Sequence, residues 1–255
     1  MTATLLEATG VSKHFGGVLA LDDVSIDVGE AEAVGLVGPN GAGKTTFFNC
    51  LLGLLRPDQG RVTFKGHDLS RLPIYRRARL GIGRTFQRVE LFAGLTVGDH
   101  LLIAERARLR HGGLLADIVG GGRPTAEERK RVAEVLEMVG LGGAADVPVE
   151  ALSLGHARLL ELGRALVTEP DLLLLDEPSS GLDRVEALAL AAVLKATQEE
   201  RHTAVLLVEH DLEMVHRVVS RLFVLDFGSV LASGPVDEVL GDGRVRHAYL
   251  GRGVA

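Results

Sequence analysis

The sequence predicts an α/β fold with a core of buried parallel strands, an antiparallel β subdomain before it and a helical subdomain inserted into it. Three observations predict this. Continuous apolar runs at residues 33–37, 172–176 and 204–208 read as short strands covered on both faces. Each run is followed by a turn and then by helical spacing, the βα rhythm of a parallel sheet. Between residues 96 and 140 alternation stops and helical spacing takes over.

The bulk numbers bound the answer. A chain of 255 residues suits one large domain, or a core with a smaller subdomain, and 46% hydrophobic residues supply its interior. A formal net charge of −6 argues against a general nucleic-acid binder. No apolar run approaches the roughly 18 residues of a membrane-spanning helix. The first residues lack the basic and long apolar regions of a signal peptide. The single cysteine, Cys50, excludes an internal disulfide, fits a reducing cytosol and reads as a buried small hydrophobe.

In chain order, residues 5–11 and 23–28 read as opening strands around Phe15-Gly16-Gly17, and residues 61–64 as a further strand. Residues 73–80 read as a helix and 82–86 as a strand. Two helices follow, at 97–110 and 126–139. The second opens on a capping box, Thr125 with Glu128. The glycine-rich interval 112–122 between them reads as mobile. A helix is expected from Ser153 to Thr168, another over 185–198, and a third over 211–219 with Asp211 as N-cap. Residues 222–225 and 230–232 resemble a hairpin about Gly228, and 237–250 two short helices.

The densest chemistry lies after the first buried run. Gly38, Pro39, Asn40, Gly41, Ala42, Gly43, Lys44 and Thr45 match G-x-x-x-x-G-K-[ST] in full. The motif stands between a predicted strand and a predicted helix over 46–52, the context a phosphate cradle needs. Glycines let successive N–H groups converge on an anion, and a helix N-terminus adds partial positive charge. Lys44 is placed to reach β- and γ-phosphates, and the Thr45 hydroxyl to ligate Mg²⁺. The pattern implies a nucleoside triphosphate site. The run 172–175 then ends in Asp176 and Glu177. This sets Asp176 at the carboxyl end of a central strand, where open α/β sheets bind ligands. Asp176 is a candidate for holding Mg²⁺ and Glu177 for polarising an attacking water.

With these motifs in hand, the chain resembles the ATPase subunits of ABC transporters over nearly its whole length. Leu152-Ser153-Leu154-Gly155-His156 occupies the signature position, Gln87 the Q-loop, Ser179-Ser180-Gly181-Leu182-Asp183 the D-loop and His210 the switch histidine. Phe15 stands where the family stacks an aromatic ring on adenine. The resemblance implies a P-loop NTPase (RecA-like) core over residues 1–95 and 152–235, a helical subdomain over 96–151 and a helical tail over 236–255. It implies ATP and Mg²⁺. Nucleotide contacts fall on Phe15, the loop residues 38–45 with Thr46, and Ser153, Gly155 and Asp183. Catalysis falls on Glu177, His210 and Gln87, and metal binding on Thr45, Gln87 and Asp176. A single copy of each motif implies a dimer, each site combining one protomer's phosphate loop with the other's signature. The signature departs from the family's commonest LSGGQ, with Leu154 for the first Gly and His156 for the Gln; Ser153 and Gly155 are intact.

Within the family, Phe15 to Asp23, Tyr75 to Gln87, Leu91 to Val97 and the tail from Ala232 to Gly251 resemble the LivG-like ATPases of branched-chain amino acid importers. The resemblance implies a second cassette ATPase, two permease subunits, an extracytoplasmic binding protein, and work at the cytoplasmic face of the membrane. Related importers carry urea or amides. A lipid or lipopolysaccharide export ATPase, and a soluble ABC protein without transport, are the alternatives. The arginines at 71, 76, 77, 79, 84 and 88 read as a solvated helix face beside a membrane-side docking surface, not as a nucleic-acid site.

Overall fold

In the computed structural model, which describes residues 3–85, 90–109 and 124–250, every residue of Ala33–Val37 is buried. This strand, β3, lies inside a six-stranded sheet of order β10-β9-β3-β8-β7-β6. Its members are β6 (Ile82–Arg84), β7 (Leu172–Asp176), β8 (Ala204–Val208), β9 (Arg221–Asp226) and β10 (Ser229–Pro235). All neighbours run parallel except β10, which returns from β9 as the expected hairpin.

Strand period explains why the runs are apolar throughout. Leu173 and Leu175 of β7, with Val205 and Leu207 of β8, join one core cluster. Their neighbours Leu172, Leu174, Ala204, Leu206 and Val208 join the other. Both faces of the sheet are covered, so neither parity can be polar. Each fully buried Leu or Val contributes about 1.5–3 kcal/mol of burial free energy.

The second cluster lies between this sheet and a four-stranded antiparallel sheet of order β2-β1-β4-β5. Strands β1 (Thr4–Phe15) and β2 (Val18–Gly29) run longer than their alternation suggests, because register shifts interrupt the pattern between Ala8 and Val11 and again around Lys13. Strand β4 spans Gln59–Phe64, and the two-residue β5, His67–Asp68, was not anticipated. Helix α1 (Lys44–Leu52) fills the space between the sheets with Phe47, Phe48 and Leu51. Cys50 is buried there, its thiol pushed up to about 11 by burial, which suits a packing residue.

The other face of the six-stranded sheet carries helices. Helix α3 (Val97–Leu109) and α4 (Ala126–Met138) pack with α5 (Leu154–Leu166) through Leu101, Val135, Val139 and Leu160. Thr125 and Glu128 form the anticipated capping box, and Glu128 also pairs with Arg106 at 2.8 Å. Helices α6 (Arg184–Arg201) and α7 (Leu212–Val218) complete the layer, followed by α8 (Val236–Gly241) and α9 (Gly243–Leu250). The glycine-rich interval at 112–122 lies outside the described residues.

One expectation is corrected. Arg77, in α2 (Ile74–Arg79), is not on a solvated face: only 4% of it is exposed. Its guanidinium donates to the carbonyls of Leu72, Cys50, Leu51 and Leu69 at 2.9, 3.0, 2.6 and 2.7 Å. Two of these acceptors are end-of-helix carbonyls of α1, which carry the negative pole of its dipole. A carbonyl-lined pocket therefore takes in this arginine. Arg84 also departs from the expectation, half-buried at the end of β6 and not on a helix, while Arg71, Arg76 and Arg79 are exposed and Arg88 lies outside the described residues.

Candidate nucleotide site

Strand register sets up the site. Leu36 pairs with Val208, and Val208 pairs with Asp176. The carboxyl ends of β3, β8 and β7 are therefore level, and the loops leaving them emerge along one edge of the sheet. Those loops hold residues 38–43, 177–183 and 209–211, three of the motif segments read from the sequence.

The phosphate loop is shaped by its glycines. Gly38 (φ +154°) packs so closely that a Cβ would collide with the Leu225 carbonyl, and at Gly43 (φ +103°) one would stand 2.7 Å from the Ala20 carbonyl. Gly43 is also the N-cap of α1 and supplies no side-chain hydrogen bond. The first N–H groups of α1 are thus left for a ligand, as an anion site requires. Lys44 is 7% exposed. Its Nζ donates to the carbonyls of Gly38 at 2.6 Å and Pro39 at 3.1 Å, which holds the ammonium along the loop. Burial lowers its pKa, and the charges of Glu177 and Asp176 oppose that shift. Asn40 and Thr45 are exposed and Thr46 half-buried at the same mouth, with Ala42 buried beneath.

Opposite stands the acidic pair. Asp176 ends β7, its carboxyl pushed up to about 6, first by burial and then by the charges of Glu177 and Glu209, against the pull of Lys44 and Arg84. A cation there relieves the like-charge crowding, so the residues fit a bound Mg²⁺. Glu177 takes a left-handed backbone conformation, φ +47°, with its N–H bonded to the Val208 carbonyl at 2.8 Å. That conformation turns the chain sharply away from the strand directly after Asp176.

Glu209 was missed by sequence reasoning. It is fully buried. Oε1 accepts from the Ser179 N–H at 2.8 Å, and Oε2 from the N–H groups of His210 at 3.0 Å and Asp211 at 3.4 Å. The available signal was an acid directly after a buried strand and directly before a candidate histidine. The His210 ring is exposed, its Nδ1 3.8 Å from Glu209 Oε2. Phe15 is 46% exposed at the end of β1, with Lys13 Nζ 5.7 Å from its ring centroid.

Ser153, Gly155 and Asp183 form a second group. Ser153 caps α5, its Oγ accepting from the His156 N–H at 3.2 Å. Asp183 caps α6 in a reciprocal box with Glu186. Gln87 lies outside the described residues. Just beyond it, Glu90 is bound to α5: its N–H donates to Glu161 at 3.2 Å and its carbonyl accepts from Arg164 at 2.7 Å. No described helix is long and apolar enough to cross a membrane.

A phosphate loop facing a strand-end acidic pair, on a sheet of this order, defines a P-loop nucleotide-binding ATPase. The chain belongs to the ABC transporter family, whose model matches residues 21–180. It is 40% identical over 254 residues to the high-affinity branched-chain amino acid transport ATP-binding protein LivG of Salmonella typhimurium, covering 98% of this chain and 99% of that protein. It is 33% identical to the lipopolysaccharide export system ATP-binding protein LptB of Haemophilus influenzae, covering 97% and 98%. Among solved structures, the ADP conformation of the ATP-binding cassette MJ1267 superposes with a TM-score of 0.86 at 30% identity, covering 98% of this chain and all of that one. The cassette MJ0796, solved as a post-hydrolysis dimer with ADP and Pi, superposes at 0.75 and 26% identity, covering 91% and 99%.

Proposed function

We propose that this chain is the ATP-hydrolysing subunit of an importer for branched-chain or related hydrophobic amino acids. It works with a second cassette ATPase and two permease subunits at the cytoplasmic face of the membrane, fed by an extracytoplasmic binding protein. The observation that carries the ATPase chemistry is the Lys44 ammonium, held on loop carbonyls and drawn electrostatically by Asp176 and Glu177. The import reading is supported by the higher identity to LivG than to LptB.

The roles proposed for the site residues are these. The N–H groups opening α1 and the Lys44 ammonium receive the β- and γ-phosphates. Thr45, Asp176 and Gln87 are the residues that would hold Mg²⁺. When bound, Mg²⁺ neutralises charge on the phosphate oxygens. Glu177 orients the attacking water, and His210, braced by Glu209, stands beside it to meet the γ-phosphate. Phe15 offers its exposed face to adenine. Ser153, Gly155 and Asp183 face the nucleotide held by the partner cassette. ATP bridging both faces closes the pair, and hydrolysis removes the bridge. Residues 1–95 and 152–235 act as the catalytic core, 96–151 as the helical subdomain that follows the permease, and 236–255 as the tail.

The test is reconstitution: this chain, its partner cassette and the co-purifying permeases in vesicles. ATP-dependent uptake of labelled leucine, isoleucine or valine is expected. Lipid extraction in place of uptake would move the assignment to export, and co-purification with soluble partners only would overturn the transport reading.

A further inference from the structure

Two segments 33 residues apart meet at one carboxylate. Glu186 is the third residue of α6 and closes the capping box there. Its N–H donates to Asp183 Oδ1 at 2.9 Å, and its Oε2 accepts from the Asp183 N–H at 3.2 Å. A capping box asks nothing more of its glutamate. Here the second oxygen reaches another element: Oε1 lies 3.4 Å from Ser153 Oγ, which donates to it. The side chain also lies across Gly155, where a Cβ would stand 2.5 Å from Oε1, 2.6 Å from Cδ and 2.8 Å from Cγ. Beside this contact Leu154 reaches the D-loop, since a Cβ at Gly181 would stand 3.1 Å from its Cδ2. Leu154, one of the two residues that depart from the common signature, thus packs on the D-loop just before the helix start that Glu186 caps.

Ser153 has one hydroxyl proton. Its oxygen already accepts from the His156 N–H, so the proton is the group it has to offer an anion. While that proton points at Glu186 it is withdrawn from any phosphate, and the carboxylate charge stands behind it. We infer that Glu186 is a positioning residue that ties the signature turn to the D-loop and holds the Ser153 hydroxyl back until the facing cassette's nucleotide displaces it. This rests on the proposed role of Ser153 toward that nucleotide. It assigns Gly155 a steric reason, since any side chain there expels Glu186. It also gives Asp183 a way to register arrival of the phosphate, because one carboxylate touches both.

The experiment uses the complete complex of this chain with its partner cassette and permeases. Glu186→Gln retains volume and capping atoms but removes the charge. KM for ATP is expected to fall about three- to tenfold, with kcat changing less. Binding of a fluorescent ATP analogue to the isolated chain, set by its own phosphate loop, is expected to stay within about twofold of the parent. Glu186→Asp, which keeps a capping carboxylate but draws it back from Ser153, moves KM in the same direction. In a Ser153→Ala background the effect of Glu186→Gln vanishes, which a purely structural role does not predict. An unchanged or raised KM for Glu186→Gln, with Ser153→Ala impairing turnover, overturns this inference alone. Full turnover by Ser153→Ala overturns the shared-site reading and this inference with it.

Discussion

The Glu209 carboxylate accepts the Ser179 N–H at 2.8 Å and the His210 N–H at 3.0 Å, so one buried side chain holds the turn after β7 against the turn after β8. Backbone donors bind both oxygens, which makes the residue structural to the site rather than reactive in it. Glu209→Ala strands those donors and is expected to cost about 2–4 kcal/mol, read by urea denaturation. Turnover falls further than the lost stability explains, because Ser179 opens the D-loop and His210 follows directly.

Lys44 and Glu177 face each other across the site but act at different stages. Lys44→Ala is expected to weaken ATP binding itself. Glu177→Gln is expected to bind ATP at near-parental affinity while kcat drops about 10²–10⁴-fold. Equilibrium binding and single-turnover hydrolysis on the two variants separate the roles. Normal ATP affinity in Lys44→Ala would contradict the phosphate contact.

Phe15 is 46% exposed, so its ring serves little packing purpose. Phe15→Ala is expected to leave the thermal midpoint unchanged and to raise the Kd for ATP about 5–150-fold, the range of one base–aromatic stack. Titration with ATP and with inorganic triphosphate checks it, since only the former loses affinity.

His100 is 1% exposed, with Nδ1 bonded to the Thr96 carbonyl and Nε2 accepting the Phe92 N–H, both at 2.9 Å. The two bonds together need the neutral ring. Burial lowers its pKa, helped by Arg164 and opposed by the Thr96 carbonyl, Asp99 and Glu150. With the folded value below the unfolded one of about 6.5, the unfolded chain binds the proton first on acidification. The contribution is therefore intact above about pH 6.5 and is lost as pH falls from there through the folded pKa. Denaturation between pH 5 and 8 is expected to show a steeper acid loss for the parent than for His100→Gln, by up to about 1.4 kcal/mol per pH unit. Equal slopes would refute a neutral His100.

Arg77 gathers four carbonyls, two from the end of α1 remote from Lys44 and two from the loop at 69–72. Arg77→Met removes the guanidinium from all four; the Cys50 and Leu69 carbonyls keep the N–H groups of Gly53 and Leu72, those of Leu51 and Leu72 lose this donor, and the change is expected to cost about 2–4 kcal/mol by calorimetry. Gly53→Ala probes the same joint: at φ +82° a Cβ meets the guanidinium at 2.7 Å, so it destabilises by about 1–3 kcal/mol.

What was legible in the sequence was what is encoded locally. The strands 33–37, 172–176 and 204–208 appeared with their observed bounds because both faces are apolar. The caps Thr125 and Asp211 were readable because each bonds to N–H groups two or three residues away. Partnerships assembled by the tertiary fold were not legible. Arg77 looks like any exposed helix arginine until loop 69–72 and the end of α1 close around it. Glu209 looks like a strand-end acid until Ser179, thirty positions earlier, presents its N–H. The lengths of β1 and β2 were obscured because bulges break the alternation.

Three of the helices that open toward the motif loops carry their own stopper: Ser153, Asp183 and Asp211 each accept an N–H of the first turn. Helix α1 begins with Gly43 and has none. Its missing piece is supplied from solution, by the triphosphate. Occupancy is then part of the fold's own equilibrium: at a hundredfold excess over Kd, ligand adds about 2.7 kcal/mol to the native state by mass action. A cell depleted of ATP would hold a less durable copy of this protein. The same chain would resist digestion once the nucleotide pool recovers.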